Sequence, residues 1–529
     1  MFEDLRSFID RLDSEGELLR VRCEVDWRYE VSGWIRRCYD MKPPGPALLF
    51  ENIKDYAGYS LFANGLGTYR RFALALGMPL NSSPKDIVLE FKRRCEKPIE
   101  PVLVSSGPCK ENILVGDKVN LLKFPVPYWH PRDGGRYIGT WHGVVSKDPE
   151  TGERNVGMYR MMVIDETRTC IGFLPFSHLG IHYAKAEEMG KPLPVAVTIG
   201  AEEYVPIAAA TPFPAGVDEY KMAGALKKAP IKLVKCETVD LEVPASSEIV
   251  LEGELLPKER VEEGPFGEHT GYHGGPVRMR PIFKVKCITH RSNPILRGTY
   301  LGKPVDENNM LTHITNSAEA LRLFETYGIK GVKAVNCPAF GAAWLSAIIQ
   351  MKPYYVGHTW DVAHTFIGSN LARHCKITIL VDEDIDPFDI EQVWWALTTR
   401  VQGSRDIEVL RFQRTSRSDP SAPRDAPEIT DKVIIDATKK LDYPYIPAYG
   451  STWAPVAYPP EEIMKIVELR WKTEIEGKKL TEEEAKHLQQ LKNRVKELES
   501  EWEEKRQSIK KMSEEEREKE KHRSYPRRT

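Results

Sequence analysis

At 529 residues the chain exceeds what one core usually serves, so two or three domains are expected, and a hydrophobic content of 41% is enough to pack them. The 75 basic and 77 acidic residues leave a formal charge of −2, which gives no electrostatic case for a nucleic-acid partner. The start, Met1-Phe-Glu-Asp-Leu-Arg6, is amphipathic with no apolar segment behind it, and no apolar run reaches the roughly 18 residues of a membrane span, so a soluble cytoplasmic protein without a membrane partner is expected.

Residues 1–115 open with a helix in which Phe2, Leu5, Phe8, Ile9 and Leu12 share a face, followed by a strand at 46–50 and a helix at 69–76. This segment reads as an α/β domain. The segment 116–303 is richer in strands, predicted at 158–164, 194–199, 231–243, 249–256 and 281–288, a pattern that suggests a barrel. From 304 to 455 helices at 316–326, 359–373 and 388–399 alternate with strands at 331–335 and 376–381, which argues for a mostly parallel sheet. The acids of Asp382-Glu-Asp-Ile-Asp-Pro387 are either metal ligands or caps on the following helix. The overall class is mixed α/β (α+β).

Residues 456–529 are dominated by Glu, Lys and Arg. One helix runs to about 476, Gly477 stops it, and Thr481 with Glu484 forms a capping box for a second. Leu488, Leu491, Val495, Leu498, Trp502, Ile509 and Met512 then form a heptad-like stripe interrupted by Lys505. A helical hairpin follows, packed either on a neighbouring subunit or back on its own chain. From Ser513 the sequence is almost wholly charged and is expected to fray. The nine cysteines are scattered without a C-x-x-C pair, and read as reduced thiols.

Two motifs carry chemistry. In Glu263-Gly-Pro-Phe-Gly-Glu-His-Thr-Gly271, a backbone that cannot be helical sets Glu263 and Glu268 around one turn, an arrangement suited to a proton relay but also to a polar surface turn. Asn155, Val156, Gly157, Met158, Tyr159 and Arg160 lie between a turn at 148–152 and the apolar run 161–164. Arg160 therefore sits on or beside a strand, where its planar fork suits a substrate carboxylate or a phosphate, unless it is an ordinary surface arginine.

Together with Gly45-Pro-Ala-Leu-Leu-Phe-Glu-Asn52, Asn64-Gly-Leu-Gly67, Ser177-His178, Glu219-Tyr-Lys-Met-Ala-Gly224 and Val381-Asp-Glu-Asp-Ile-Asp-Pro387, these motifs resemble the UbiD family of reversible decarboxylases over residues 1–455. The resemblance implies a central split β-barrel that binds prenylated FMN through the 155–160 stretch, Ser177 and His178. It also implies a divalent metal, Mn²⁺ or Mg²⁺, held by Asn155, His178 and Glu219, and a Lys376 that reaches the flavin. Members bind a potassium ion nearby, on which the sequence itself is silent. One departure stands out: many members place an Arg beside the Ser-His pair, whereas this chain reads Leu174-Pro-Phe-Ser-His-Leu-Gly180. That apolar approach hints at a bulky apolar substrate.

The implied reaction is non-oxidative decarboxylation of an aromatic or α,β-unsaturated acid, an aryl-CoA acid included, through a covalent cofactor–substrate adduct. Arg160 would bind the carboxylate, Glu263 would fix Arg160, and Glu268, its pKa raised by burial beside a second carboxylate, would protonate the carbon left behind. Other readings are an arene carboxylase running in reverse, a non-catalytic subunit of a multi-subunit carboxylase, and a plain FMN reductase, for which no nicotinamide fingerprint is present. Implied partners are the acid, CO₂, a flavin prenyltransferase that supplies the cofactor, and further copies in a dimer or hexamer.

Overall fold

Asp4 and Ser7 close a reciprocal cap on the first helix, Leu5–Ser14, whose Leu5, Phe8, Ile9 and Leu12 are buried as their spacing predicts. This computed structural model describes residues 1–275, 277–446 and 449–520. Their contacts form one unit over residues 1–438 and a second from Lys439 onward. Among the described residues no helix is long and apolar enough to cross a membrane, and all nine cysteines are free thiols.

In the first unit, the buried strand Ala47–Phe50 lies between Leu18–Val21 and Ser60–Ala63. The fourth strand of that sheet, Ile295–Arg297, arrives from far along the chain to pair parallel with Ser60–Ala63. Arg297 is fully buried there. It donates to Glu203 at 2.7 Å and, through two nitrogens, to Glu307 at 2.5 and 3.1 Å, and Glu307 also accepts the backbone N–H groups of Asn64 and Leu66. One guanidinium thus joins the first sheet to the start of the long helix Glu307–Thr326.

The centre is a nine-stranded antiparallel sheet. Its order runs from Tyr137–Gly139 through Met161–Val163, Arg168–Ile171, Arg278–His290, Ile249–Glu263, Leu193–Ile199 and His142–Lys147 to Arg154–Gly157, with Asn112–Val115 added on Arg278–His290. That path is an open, curled half-barrel, as a split barrel requires. Gly253 is needed where the two longest strands cross, because a Cβ there would lie 2.0 Å from the Lys284 carbonyl oxygen.

Several predicted elements change at their edges. The predicted strand 158–164 is shortened to Met161–Val163, and a separate strand, Arg154–Gly157, ends before it at a bend where a Cβ on Gly157 would lie 2.4 Å from the Tyr159 ring. The predicted strand 231–243 is two short antiparallel strands, Lys232–Lys235 and Glu242–Pro244. The five-stranded sheet of residues 332–437 is mixed and not mostly parallel: Ser346–Met351, Ile377–Asp382 and Ile429–Ala437 run parallel, while Val332–Asn336 and Ile407–Arg414 flank them antiparallel. The cap of helix Ile390–Arg400 is Asp389, whereas Asp382 and Asp384 hold Arg400 at the far end of that helix. Asp382 and Asp384 therefore serve a salt bridge, while Asp386 accepts the Phe388 N–H at 2.9 Å on the approach to the helix.

In the second unit, helices Glu461–Glu474 and Glu482–Glu520 pack on each other across a turn at Gly477 (φ +64°). The Thr481 hydroxyl accepts the Glu484 N–H and the Glu484 carboxylate accepts the Thr481 N–H, as the capping box predicts. Leu491 and Leu498 of the stripe are buried. The Met512 side chain lies outside the described residues, and the helix expected to fray from Ser513 runs to Glu520.

Candidate active site

Arg160 follows the bend at Gly157, and its carbonyl accepts Gly172 N–H at 2.9 Å. Its Nε and Nη2 donate to the two oxygens of Glu263 at 2.8 and 3.0 Å, and its Nη1 donates to Glu268. The guanidinium is therefore clamped between the two carboxylates that sequence singled out. Glu263 is reached by an extension of its strand beyond residue 256. It forms the last residue of Ile249–Glu263 and is not part of the turn. Only Glu268 belongs to the loop, which Gly264 enters at φ +90°.

Sequence reasoning missed the residues that support the clamp. Tyr137 donates its hydroxyl to Glu263 at 2.8 Å, and Arg280 stands 3.6 Å away. Gly134 N–H donates to the Pro265 carbonyl, and a Cβ on Gly134 would lie 2.2 Å from the Gly264 oxygen, so the loop seats directly on the 134 backbone. Gly274 leaves room for Glu268 in the same way, since a Cβ there would lie 2.5 Å from its Cγ. Tyr137 lies 126 residues from Glu263, Arg280 meets it only through the pairing of two strands, and the glycines sit in ordinary turns; none leaves a local signal.

The electrostatics correct one expectation. Burial raises the Glu268 carboxyl, but the Arg160 charge and His269 outweigh it and hold the pKa at about 2. Glu263 is likewise raised by burial and brought below the ordinary carboxylate range by Arg160 and the Tyr137 hydroxyl. With Arg160 between the two acids, neither carries the raised pKa that two adjacent carboxylates would give. Burial lowers Arg160 itself, yet Glu268 and Glu263 lift it well above the usual arginine value.

A second cluster forms around Tyr159. Burial raises the Tyr159 hydroxyl, an effect that the neighbouring Leu179 backbone, Asn155 and Ser177 partly offset. His178 Nδ1 faces Asn155 Oδ1 at 3.0 Å, and Glu219 accepts the Val156 N–H at 2.8 Å. Ser177 caps helix His178–Glu188, Glu219 opens helix Glu219–Lys227, and Met158 packs at the edge of the core. Burial lifts the Glu219 carboxyl to about 8, and the Asn155 Nδ2 is buried without a partner. A buried carboxylate, an imidazole and an amide oxygen at one place fit a divalent cation that keeps oxygen ligands.

The apolar approach noted at 174–180 is completed from elsewhere. Arg373 and Arg414 lie over the Phe176 ring at 5.0 and 3.9 Å, and the Arg373 charge adds to burial in lowering His178. Two guanidiniums thus flank the side where the sequence has none. Lys376 precedes strand Ile377–Asp382, and is engaged by Asp419 at 2.9 Å and by Ser421.

Family models for the 3-octaprenyl-4-hydroxybenzoate carboxy-lyase N-terminal, Rift-related and C-terminal domains match residues 9–90, 101–304 and 309–437. A phenolic acid decarboxylase of Sedimentibacter hydroxybenzoicus is 38% identical over 450 residues, 83% of this chain and 92% of that protein. The closed form of vanillic acid decarboxylase from the same organism superposes with a TM-score of 0.81 at 36% identity, covering 90% of this chain and 99% of the other. An evolved dimeric form of a UbiD-class enzyme from Pelotomaculum thermopropionicum, in complex with prFMN, gives 0.75 at 32% identity, with 88% and 100% covered.

Proposed function

Since the chain belongs to the UbiD family of carboxy-lyases, we propose that it catalyses non-oxidative, reversible decarboxylation of an aromatic acid, with prenylated FMN as cofactor. The observation that carries this reading is the clamp in which Arg160 bridges Glu263 and Glu268. When bound, the modified flavin supplies the electron sink that the carbanion left by CO₂ lacks. Everything else falls to side chains of this chain.

Glu263, fixed by Tyr137 and Arg280, holds Arg160 by two hydrogen bonds, so one edge of the guanidinium stays oriented while the other is shared with Glu268. A substrate carboxylate that takes that edge displaces Glu268. With Arg160 taken by the substrate, burial raises the freed carboxyl against His269 alone, so that it takes a proton from water and delivers it to the carbon that has lost CO₂. The acid thus becomes competent only after the carboxylate has docked. In reverse the same residues carboxylate an arene.

Asn155, His178 and Glu219 would hold a divalent cation, Mn²⁺ or Mg²⁺, at the flavin phosphate, with Arg373 adding positive charge beside His178. Met158, Tyr159, Ser177 and Lys376 complete the proposed cofactor contacts, and a potassium ion belongs to the same proposal. Phenolic acids are the favoured substrate class, because the relatives named above act on phenolic and vanillic acids. A non-catalytic subunit is disfavoured by the intact Arg160, Glu263 and Glu268 set. The test is anaerobic purification after co-expression with a flavin prenyltransferase, then a visible spectrum and CO₂ exchange against an acid panel. A flavin-free protein inert on every acid would sink the proposal.

A further inference from the structure

Across the loop from Arg160 lies a polar cluster that the proposed reaction leaves unused. Asp133 is buried to its carboxylate oxygens. Its Oδ2 accepts the His130 backbone N–H at 2.9 Å and faces His130 Nδ1 at 3.1 Å, while its Oδ1 accepts the Gly267 N–H at 3.0 Å and faces His273 Nε2 at 3.5 Å. One ligand atom from each of His130, Asp133 and His273 lies within 4.8 Å of the others. The His130 Nε2 is buried without a hydrogen-bond partner, so this imidazole is not satisfied by the protein alone.

We propose that His130, Asp133 and His273 form a second divalent metal site, selective for a transition ion such as Zn²⁺, that fastens the Glu268 loop to the 130–135 segment. Two imidazoles and one carboxylate are the donor set that prefers zinc, iron or cobalt over magnesium or calcium. His273 keeps about a third of its side chain exposed, leaving a coordination position for water. The ligands come from both sides of the junction: His130 and Asp133 precede the Gly134 backbone on which the loop rests, and His273 stands at the loop's end. A Cβ on Gly267 would lie 2.2 Å from the His130 ring, so the two sides are already in contact.

Metal content is read without turnover, so this site is tested apart from the proposed reaction. Holoenzyme carrying its flavin is analysed by elemental mass spectrometry, then stripped with chelator and titrated with Co²⁺ while the visible ligand-field bands are followed. Wild type should bind one more transition-metal equivalent per chain than His273→Gln, with equal flavin in both, and the strong cobalt bands should be lost in the variant. Equal metal content and equal cobalt spectra would reduce the cluster to an ordinary hydrogen-bonded Asp-His pair and overturn the site. If His273→Gln folds poorly, His130→Asn serves in its place with the same two readouts.

Discussion

Glu268 and Glu263 share Arg160, yet they differ in what surrounds them. Glu263 has Tyr137 and Arg280 besides Arg160, whereas Glu268 sits on a loop and, among the described residues, has His269 alone besides Arg160. Glu268→Gln should therefore bind substrate and stall at protonation, with a loss of about 10²- to 10⁴-fold in turnover and an altered flavin spectrum building up. Glu263→Gln should instead raise KM and slow the steps before CO₂ leaves. Turnover of Glu268→Gln within a few-fold of wild type, with solvent deuterium still reaching the product carbon, would assign the acid elsewhere. The clamp also fixes a pH dependence. Both carboxylates titrate below the unfolded value of 4.5, so their contribution to stability is complete above that pH and is lost as pH falls through their folded-state values, about 2 in the case of Glu268. Arg160→Met removes the largest influence that opposes burial, leaving His269 at Glu268 and Tyr137 and Arg280 at Glu263, so both pKa values rise and the variant falls short of wild-type stability by a gap that narrows as the carboxyls protonate between neutral pH and about 2. Thermal melts of the two proteins should converge as pH falls over that range; a constant gap would mean that the clamp does not set these pKa values.

At the scale of elements, strand and helix positions were legible wherever an apolar stripe met a local stop signal. Leu5, Phe8, Ile9 and Leu12 and the Thr481–Glu484 capping box are examples. Boundaries failed where long-range contact decides the conformation: the Gly157 bend and the extension of a barrel strand to Glu263 depend on packing that no short window contains. The same holds for the site. Arg160, Glu263 and Glu268 could be read from their motifs, but Tyr137, Arg280 and the Arg373–Arg414 pair could not, since only folding brings them near. Asn155, His178 and Glu219 were found by family resemblance, their separation carrying no signal. His178→Ala should lower flavin and divalent-metal content more than it lowers melting temperature; unchanged contents would remove it from the site. Arg297 offers a contrasting case. Arg297→Met strands two buried carboxylates, Glu203 and Glu307, and should cost about 3–5 kcal/mol in denaturant unfolding. A loss below about 1 kcal/mol, the worth of an exposed pair, would show that the triad is not a structural joint.

At the scale of the whole molecule, the charged hairpin from Lys439 onward is a unit of its own. Val467 and Trp471 of helix Glu461–Glu474 and Ile475 at its C-cap recur every four positions and are exposed, a stripe that water tolerates poorly. Truncation after about residue 456 should reduce the assembly to a smaller species by light scattering if that stripe meets another copy. An unchanged mass would leave the hairpin without a part in assembly.

The first sheet has a further consequence for how the protein is made. Its fourth strand is Ile295–Arg297, and the guanidinium that locks it needs Glu307. A ribosome that has released only the first hundred residues has therefore delivered a sheet whose Ser60–Ala63 edge is bare. That edge must stay unpaired while nearly two hundred more residues emerge, at roughly 5–20 residues per second. During those tens of seconds it is the part of the nascent chain most open to pairing with a stranger, and the place where a chaperone would do most good.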